Sequence, residues 1–181
     1  MIISKDKNIV LRKFRLEDVA QKVEWINNPS NNTYLHYDLP LEYDKTEIWF
    51  NKVKDLNTRL DLVIEYNNVP VGLIGLLSID SINKKAEYYI CMGEHKFKGC
   101  GIATNASIQL FAYAFNDLQL NRIFLYTEKE NIPAQKLFEK LGFVQEGLIK
   151  HDLIYNGRTV DRYIYRMLKE EFKNAVCNPN K

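Results

Sequence analysis

The residues best placed to do chemistry lie in Lys96-Phe97-Lys98-Gly99-Cys100-Gly101-Ile102-Ala103-Thr104, between an apolar run from Tyr88 to Met92 and a segment of helical period from Ile102 to Asp117. A strand that empties through a glycine-rich turn into a helix aims several backbone N–H groups, and the positive end of the helix dipole, at one spot. Such spots hold phosphate or pyrophosphate. Gly99 and Gly101 let the backbone approach a ligand with no Cβ in the way. The expected ligand is a phosphorylated cofactor, although the turn taken alone also fits a tight connection with no ligand. A Walker loop needs G-x-x-x-x-G-K-S/T, and no Lys follows Gly101, which argues against phosphoryl transfer from ATP. A dinucleotide fingerprint needs a third glycine where Thr104 stands, and it belongs to the first βαβ unit of a chain. Here the turn follows several strands, two of them in an apparent hairpin, which makes a poor Rossmann domain.

Composition narrows the class further. The chain has 181 residues, enough for one domain with a core of its own. Its formal charge of +2 is too small to suggest nucleic acid, and no basic block suggests a membrane surface. Cys91, Cys100 and Cys177 form no C-x-x-C pair, and His36, His95 and His151 lie far apart, so neither a disulfide framework nor a metal site is expected. No signal peptide and no long apolar run is visible, and the default expectation is a reducing cytoplasm.

The elements that must position the turn alternate in type. Ile9 to Phe14 reads as a first strand. Asp18 to Asn27 carries Val19, Val23 and Ile26 at helical spacing and is stopped by Asn28-Pro29. A polar, aromatic loop runs from Ser30 to Tyr37. A second helix is expected from Asp44 to Leu56, with Asp44 as N-cap and Ile48, Trp49 and Val53 on one side. Asp61 to Tyr66 and Val69 to Ile79, joined by Asn67-Asn68, predict a hairpin. Ala86 to Met92 is the fourth strand and Arg122 to Thr127 the fifth. Pro133 to Leu141 is a helix ended by Gly142, and Val144 to Tyr155 and Thr159 to Leu168 form a closing hairpin about Asn156-Gly157. The expectation is a mixed α/β domain over residues 1–173, with about seven strands and four helices, and a polar tail over 174–181.

A second motif follows the fifth strand: Glu128-Lys129-Glu130-Asn131-Ile132-Pro133-Ala134-Gln135-Lys136-Leu137-Phe138-Glu139-Lys140-Leu141-Gly142-Phe143. Together the two segments resemble the GNAT superfamily of N-acetyltransferases. The signature there is R/Q-x-x-G-x-G/A, matched by Lys98, Gly101 and Ala103 with Lys in the first place. It is followed by a helix of the N-x-x-A…G-F kind. The resemblance covers about Val10 to Leu168. It is nearest to the branches that acetylate spermidine, ribosomal-protein N-termini and nucleotide-linked amino sugars, through Ala86-Glu87, Gly101-Ile102-Ala103-Thr104, Glu130-Asn131 and Asn156-Gly157.

The resemblance implies acetyl-CoA as cosubstrate, lying where the fourth and fifth strands part. Its pyrophosphate would take the N–H groups of Lys98, Gly99, Cys100, Gly101, Ile102 and Ala103, with the Thr104 hydroxyl. Its pantetheine arm would pair with the strand edge at Ile90, Cys91 and Met92, as an added strand satisfies an open edge. A backbone N–H near Met92 would hold the thioester oxygen. Asn131 matches the family's cofactor-contacting Asn and equally suits helix N-capping. Many relatives place a Tyr where this chain has Phe138. The ring is retained without the hydroxyl, so Phe138 cannot protonate the leaving thiolate, and Tyr126 and Tyr155 are the other hydroxyls to consider.

The implied acceptor is a primary amine. At a pKa of about 10.4 it is free base only about one part in a thousand at pH 7.4, a deficit of about 4 kcal/mol. A positioned carboxylate relieves this by taking the proton. Glu87 is the candidate. On a strand it shares a face with Tyr89 and Cys91, although a solvated or structural charge would have the same pattern. Cys91 and Cys100 lack a base partner for covalent catalysis and read as filler, and Trp25 and Trp49 read as core. Asn31, Tyr34, His36, Tyr37 and Asp38 sit where relatives build the acceptor pocket, and Glu42 and Glu47 either attract a cation or simply flank a helix. The expected activity is acetyl transfer to a polyamine, a protein N-terminus or an amino sugar, directly in a ternary complex. The rival is an acyl-CoA-binding sensor without turnover. Neither a nucleic-acid nor a membrane partner is expected, and homo-oligomer formation is left open.

Overall fold

Two asparagine-containing reversals set the pairing of the sheet. Asn67 and Asn68 both take positive φ (51° and 63°), as do Asn156 and Gly157 (50° and 73°). That is the primed-turn geometry which matches the twist of paired strands. The first reversal joins β3 (Leu60–Tyr66) to β4 (Val69–Asp80), with Tyr66 opposite Val69. The second joins β7 (Val144–Tyr155) to β8 (Arg158–Leu168), with Tyr155 opposite Arg158.

The computed structural model describes residues 2–6 and 8–172, so the tail expected over 174–181, with Cys177, lies outside the described residues. With β1 (Ile2–Asp6), β2 (Ile9–Lys13), β5 (Lys85–Met92) and β6 (Arg122–Glu128), the strands form one mixed sheet of eight in the order β1-β2-β3-β4-β5-β6-β8-β7. Only the β5–β6 pair is parallel. Its crossover carries α4 (Ile102–Asn116), as a parallel connection requires. The sheet has one strand more than the expected seven. β1 is a short segment with little alternation, and it is held by ladder bonds to the edge of β2, which nothing local announces.

The helices are α1 (Val19–Asn27), α2 (Pro29–Asn32), α3 (Tyr43–Val53), α4 and α5 (Ile132–Lys140). The count of four missed α2, a single turn in which the Asn28 side chain accepts from Ser30 N at 3.0 Å. Pro29 does end α1, and the same residue opens α2, because proline suits the first turn of a helix. In α3 the N-cap is Glu42, and Asp44 lies in the first turn. Thr46 is buried and Ile48 is 54% exposed, so Ile48 does not belong to the face that packs on the sheet. Thr46 can go inside because its hydroxyl donates to Glu42 O at 2.8 Å.

The core has two parts, one on each face of the sheet. α4 and α5 cover the larger part, built on Leu62, Ile74, Tyr88, Leu110, Phe111, Ile123, Phe138 and Tyr165. α1 and α3 cover the smaller, around Phe14, Val19, Trp25, Val63 and Leu73. Among the described residues no helix is long and apolar enough to cross a membrane.

Lys22 is buried in this second layer, with Nζ 3.3 Å from the Trp49 ring centroid and 5.8 Å from that of Tyr37. Burial pulls its ammonium down to about 8, opposed by the charge of Asp61. The folded state therefore binds this proton less tightly than the unfolded chain. Stability should rise as pH increases from about 8 toward 10.5, the ordinary lysine value, and the cost should be fully present below 8. Lys22→Met should abolish this rise in a thermal melt series, and an unchanged slope would exclude Lys22 as its source.

Candidate active site

β5 and β6 pair over only a short stretch. Lys85, Ala86 and Glu87 lie opposite Arg122, Ile123 and Phe124, and there the ladder ends. β6 continues to Glu128 against β8, while β5 continues to Met92 against β4. Beyond Glu87 the two strands part. Successive backbone groups of an antiparallel strand point to opposite sides. Gly93 N donates to Val71 O on the β4 side at 2.9 Å, so the N–H and C=O of Met92 and Ile90 point into the gap left by β6. Cys91 has its backbone turned to β4 like Gly93, so of the three residues expected to pair with an extended arm, Ile90 and Met92 present their main chain and Cys91 does not.

The far end of the gap is closed by the glycine turn. Gly99 and Gly101 have φ of 82° and 75°, and a Cβ on Gly99 would meet nothing within 4 Å. What these positions need is therefore the left-handed conformation that glycine adopts without strain. Gly101 is the N-cap of α4 and supplies no side-chain cap. Asn105 N is bonded back to Gly101 O at 3.0 Å, leaving the N–H groups of Ile102, Ala103 and Thr104 without intrahelical partners.

The β5 edge, the glycine turn and the loop that follows α1 line one continuous cleft of about 740 Å³. It is bordered by Glu87, Ile90, Cys91 and Met92 from β5, and by Lys98, Gly99, Gly101, Ile102, Ala103 and Thr104 from the turn. Asn131 and Phe138 border it from α5, and Asn31, Tyr34 and His36 from the loop. Of the residues singled out from sequence for the cofactor, the acceptor or the leaving group, Cys100, Tyr37, Asp38, Glu42, Glu47 and Tyr155 are not on its wall. Cys100 is exposed. Tyr37 faces the Lys22 side, where burial pushes its phenol up to about 12. Asn131 caps α5, its side chain accepting from Ala134 N at 3.3 Å. Phe138 is buried against Tyr88, Phe143 and Tyr165. Among the described residues no three His, Cys, Asp or Glu side chains gather into a metal-holding group.

Residues 8–144 match the family description "Acetyltransferase (GNAT) domain". The chain belongs to the GNAT acetyltransferases. It is an N-acetyltransferase by that membership and by its relatives. It is 29% identical over 171 residues to the uncharacterized N-acetyltransferase p20 of Bacillus licheniformis, covering 92% of this chain and 96% of the relative. It is 29% identical over 153 residues to the spermidine N(1)-acetyltransferase of Escherichia coli, covering 83% and 81%. The crystal structure of spermidine N-acetyltransferase from Vibrio cholerae in complex with CoA and spermine superposes with a TM-score of 0.85 at 27% identity, covering 93% of this chain and 100% of that one.

Within this GNAT site Asn31, Tyr34 and His36, expected to meet an acceptor, are each hydrogen-bonded to the protein, although Asn31 Oδ1 is buried with no partner among the described residues. Asn31 Nδ2 donates to Trp25 O (3.2 Å) and Gly93 O (3.0 Å). Tyr34 donates to Glu130 O at 3.1 Å. His36 Nε2 lies 2.8 Å from Glu128 Oε1, and Tyr155 donates to Tyr37 O at 2.8 Å, which removes Tyr155 from the candidates for protonating a leaving group. These bonds fasten the loop over the gap between β5 and β6. Glu128, only 2% exposed, is the hub, with Arg158 Nη2 at 3.1 Å from its second oxygen.

Neither Glu128 nor Arg158 stands out as a functional residue in the sequence of this GNAT chain. The available signal was a carboxylate closing an otherwise apolar strand. Glu87 keeps its place on the cleft wall, where burial raises its carboxyl pKa and the charge of Arg162 opposes the shift. Tyr89, on the same face, donates to Asp61 Oδ1 at 2.6 Å and is not available.

Proposed function

We propose that this enzyme moves the acetyl group of acetyl-CoA to a primary amine by direct attack within a ternary complex. The observation that carries the reading is the row of unpaired backbone groups, Met92 and Ile90 on β5 and Ile102 to Thr104 on α4, along one cleft that also holds Glu87. An amide-bearing arm suits the first set and a pyrophosphate the second. Residues 1–173 would act as one catalytic domain, since one sheet runs from β1 to β8.

In this reading Ile90 and Met92 hold the pantetheine arm, with Lys98 and the N–H groups from Gly99 to Ala103 on the phosphates beside the Thr104 hydroxyl. Glu87, directly or through a water, takes a proton from the acceptor ammonium. The amine nitrogen then forms its bond to the thioester carbonyl carbon while the Met92 N–H supports the charge growing on the carbonyl oxygen. The carbon–sulfur bond breaks and the thiolate leaves with the electron pair, while the nitrogen gives up its second proton, which reaches the thiolate through solvent or through the hydroxyl of Tyr126, which borders the cleft. A thiol of pKa about 8.5 leaves without obligatory help. Direct transfer is favoured over an acetyl-cysteine intermediate because burial pushes the Cys91 thiol up to about 11, leaving little thiolate.

Acetyl-CoA should raise the melting temperature by mass action, with NAD and ATP having far smaller effects. Coenzyme A release should then require an added amine. Stabilisation by NAD instead of acetyl-CoA, or thiol release that ignores the amine, would refute the reading.

A further inference from the structure

We infer that the acceptor carries a single primary amine flanked by hydrogen-bond-accepting oxygen, as in an α-aminoacyl group or a 2-amino sugar, and is not a polyamine. This rests on the acetyl-transfer reading above and narrows it.

The first support is a charge count at the acceptor end of the cleft. Glu128 has one oxygen on His36 and the other on Arg158. Asp152, behind the wall, is paired with Arg162. Asp61 takes the guanidinium of Arg59, with Nε at 2.5 Å. On the loop, Glu42 is paired with Lys45 at 2.7 Å, and neither Glu42 nor Asp38 borders the cleft. Among the described residues this leaves Glu87 as the carboxylate of this region that borders the cleft without a cation partner. One such carboxylate matches one ammonium. A second or third ammonium would meet the Arg162 guanidinium instead of an acid.

The second support is Arg162 itself. It lies on the cleft wall with a side chain 23% exposed. Its Nε is tied to Asp152, and its guanidinium carbon stands 4.7 Å from the Tyr126 ring centroid. A guanidinium held at one corner and stacked on a ring loses little freedom when it binds. Its two terminal amino groups have no hydrogen-bond partner among the described residues. They are fixed donors, and an acceptor made only of methylenes and ammonium groups has nothing to offer them. A carbonyl or hydroxyl oxygen near the reacting nitrogen does. Leaving such donors unmet costs affinity for the wrong acceptor, so the same groups select as well as bind.

The test is a panel of spermidine, glucosamine and alanine amide, each scored by coenzyme A release with the wild-type enzyme and Arg162→Met. The wild type should favour glucosamine or alanine amide over spermidine by at least about tenfold in kcat/KM, and the better of those two names the source of the oxygen. Arg162→Met should lower kcat/KM for the oxygen-bearing amines by roughly 10–100-fold, mostly through KM. It should lower spermidine by no more than a few-fold, since loss of the Arg162 charge also acts on Glu87, and should keep the thermal shift with acetyl-CoA. Spermidine as the preferred wild-type acceptor, or an equal loss on all three amines in a folded variant, overturns the inference while acetyl transfer stands. No release with any amine, in a protein that acetyl-CoA still stabilises, removes the transfer reading and this inference with it.

Discussion

Glutamine in place of Glu87 is expected to lower turnover of a primary amine by roughly 10²–10⁴-fold, the usual contribution of a positioned base, while acetyl-CoA should still raise the melting temperature. The shape of the side chain is kept and its ability to take a proton is lost. The pH dependence separates this from a structural effect. Burial raises the Glu87 carboxyl pKa, with Arg162 opposing, so the wild-type rate climbs as pH rises through that raised value. The variant lacks this limb and retains only the rise that comes from deprotonating the amine. Its deficit therefore shrinks toward pH 10, where free amine is plentiful. Stability moves the other way. A carboxyl that holds its proton more tightly when folded makes the native state less stable as pH increases through its raised pKa. Glu87→Gln is accordingly no less stable than wild type at neutral pH. Wild-type turnover at every pH would leave Glu87 a structural charge, and a large loss of melting temperature would reassign it to the fold.

The second large effect belongs to the far end of the cleft. Thr104→Glu is expected to weaken acetyl-CoA binding by roughly a hundredfold, because a carboxylate about 5 Å from a phosphate at an effective dielectric near 20 costs about 3 kcal/mol. The same change should leave the fold intact or slightly firmer. Residue 104 is in the first turn of α4, where the dipole favours an acid and no side-chain cap is displaced. This separation is why Thr104→Glu is more informative than Gly101→Val, which would also strain a backbone held at φ of 75°. The two measurements are a titration with acetyl-CoA and a melt without it. An unchanged affinity would show that this helix terminus does not carry the phosphates. A collapse of the melt would show that Thr104 matters to the helix and not to the ligand.

Much of the molecule follows from local pattern. The Asn67-Asn68 and Asn156-Gly157 reversals were legible because few residues tolerate paired positive φ, and the positions that do are written in asparagine and glycine. The glycine turn and its helix could be placed for the same reason, and Gly142 closes α5 at a φ of 89°. Glu87 could be put on the cleft face by strand alternation alone. Backbone chemistry of this kind depends on a few adjacent residues, so an unfolded string already contains it.

What the string does not contain is who answers whom across the fold. Asn31, Tyr34 and His36 look like free recognition groups until Gly93, Glu130 and Glu128, remote in sequence, are seen to hold the Asn31 amide N–H, the Tyr34 hydroxyl and the His36 Nε2. Glu128 reads as one acid among many, yet burial between a histidine and an arginine makes it the fastening of the loop that carries His36. Arg162 becomes a cleft-wall donor only because Asp152 and Tyr126 hold it in place. Even the gap between β5 and β6 is set by where their ladder stops, which depends on the twist of the whole sheet. The sequence by itself determined the glycine turn, the helix terminus behind it and the strand beside it, because these are made of local conformation. Only the tertiary structure decided which charges on the cleft wall remain unpaired, because pairing is a property of residues brought together from distant parts of the chain.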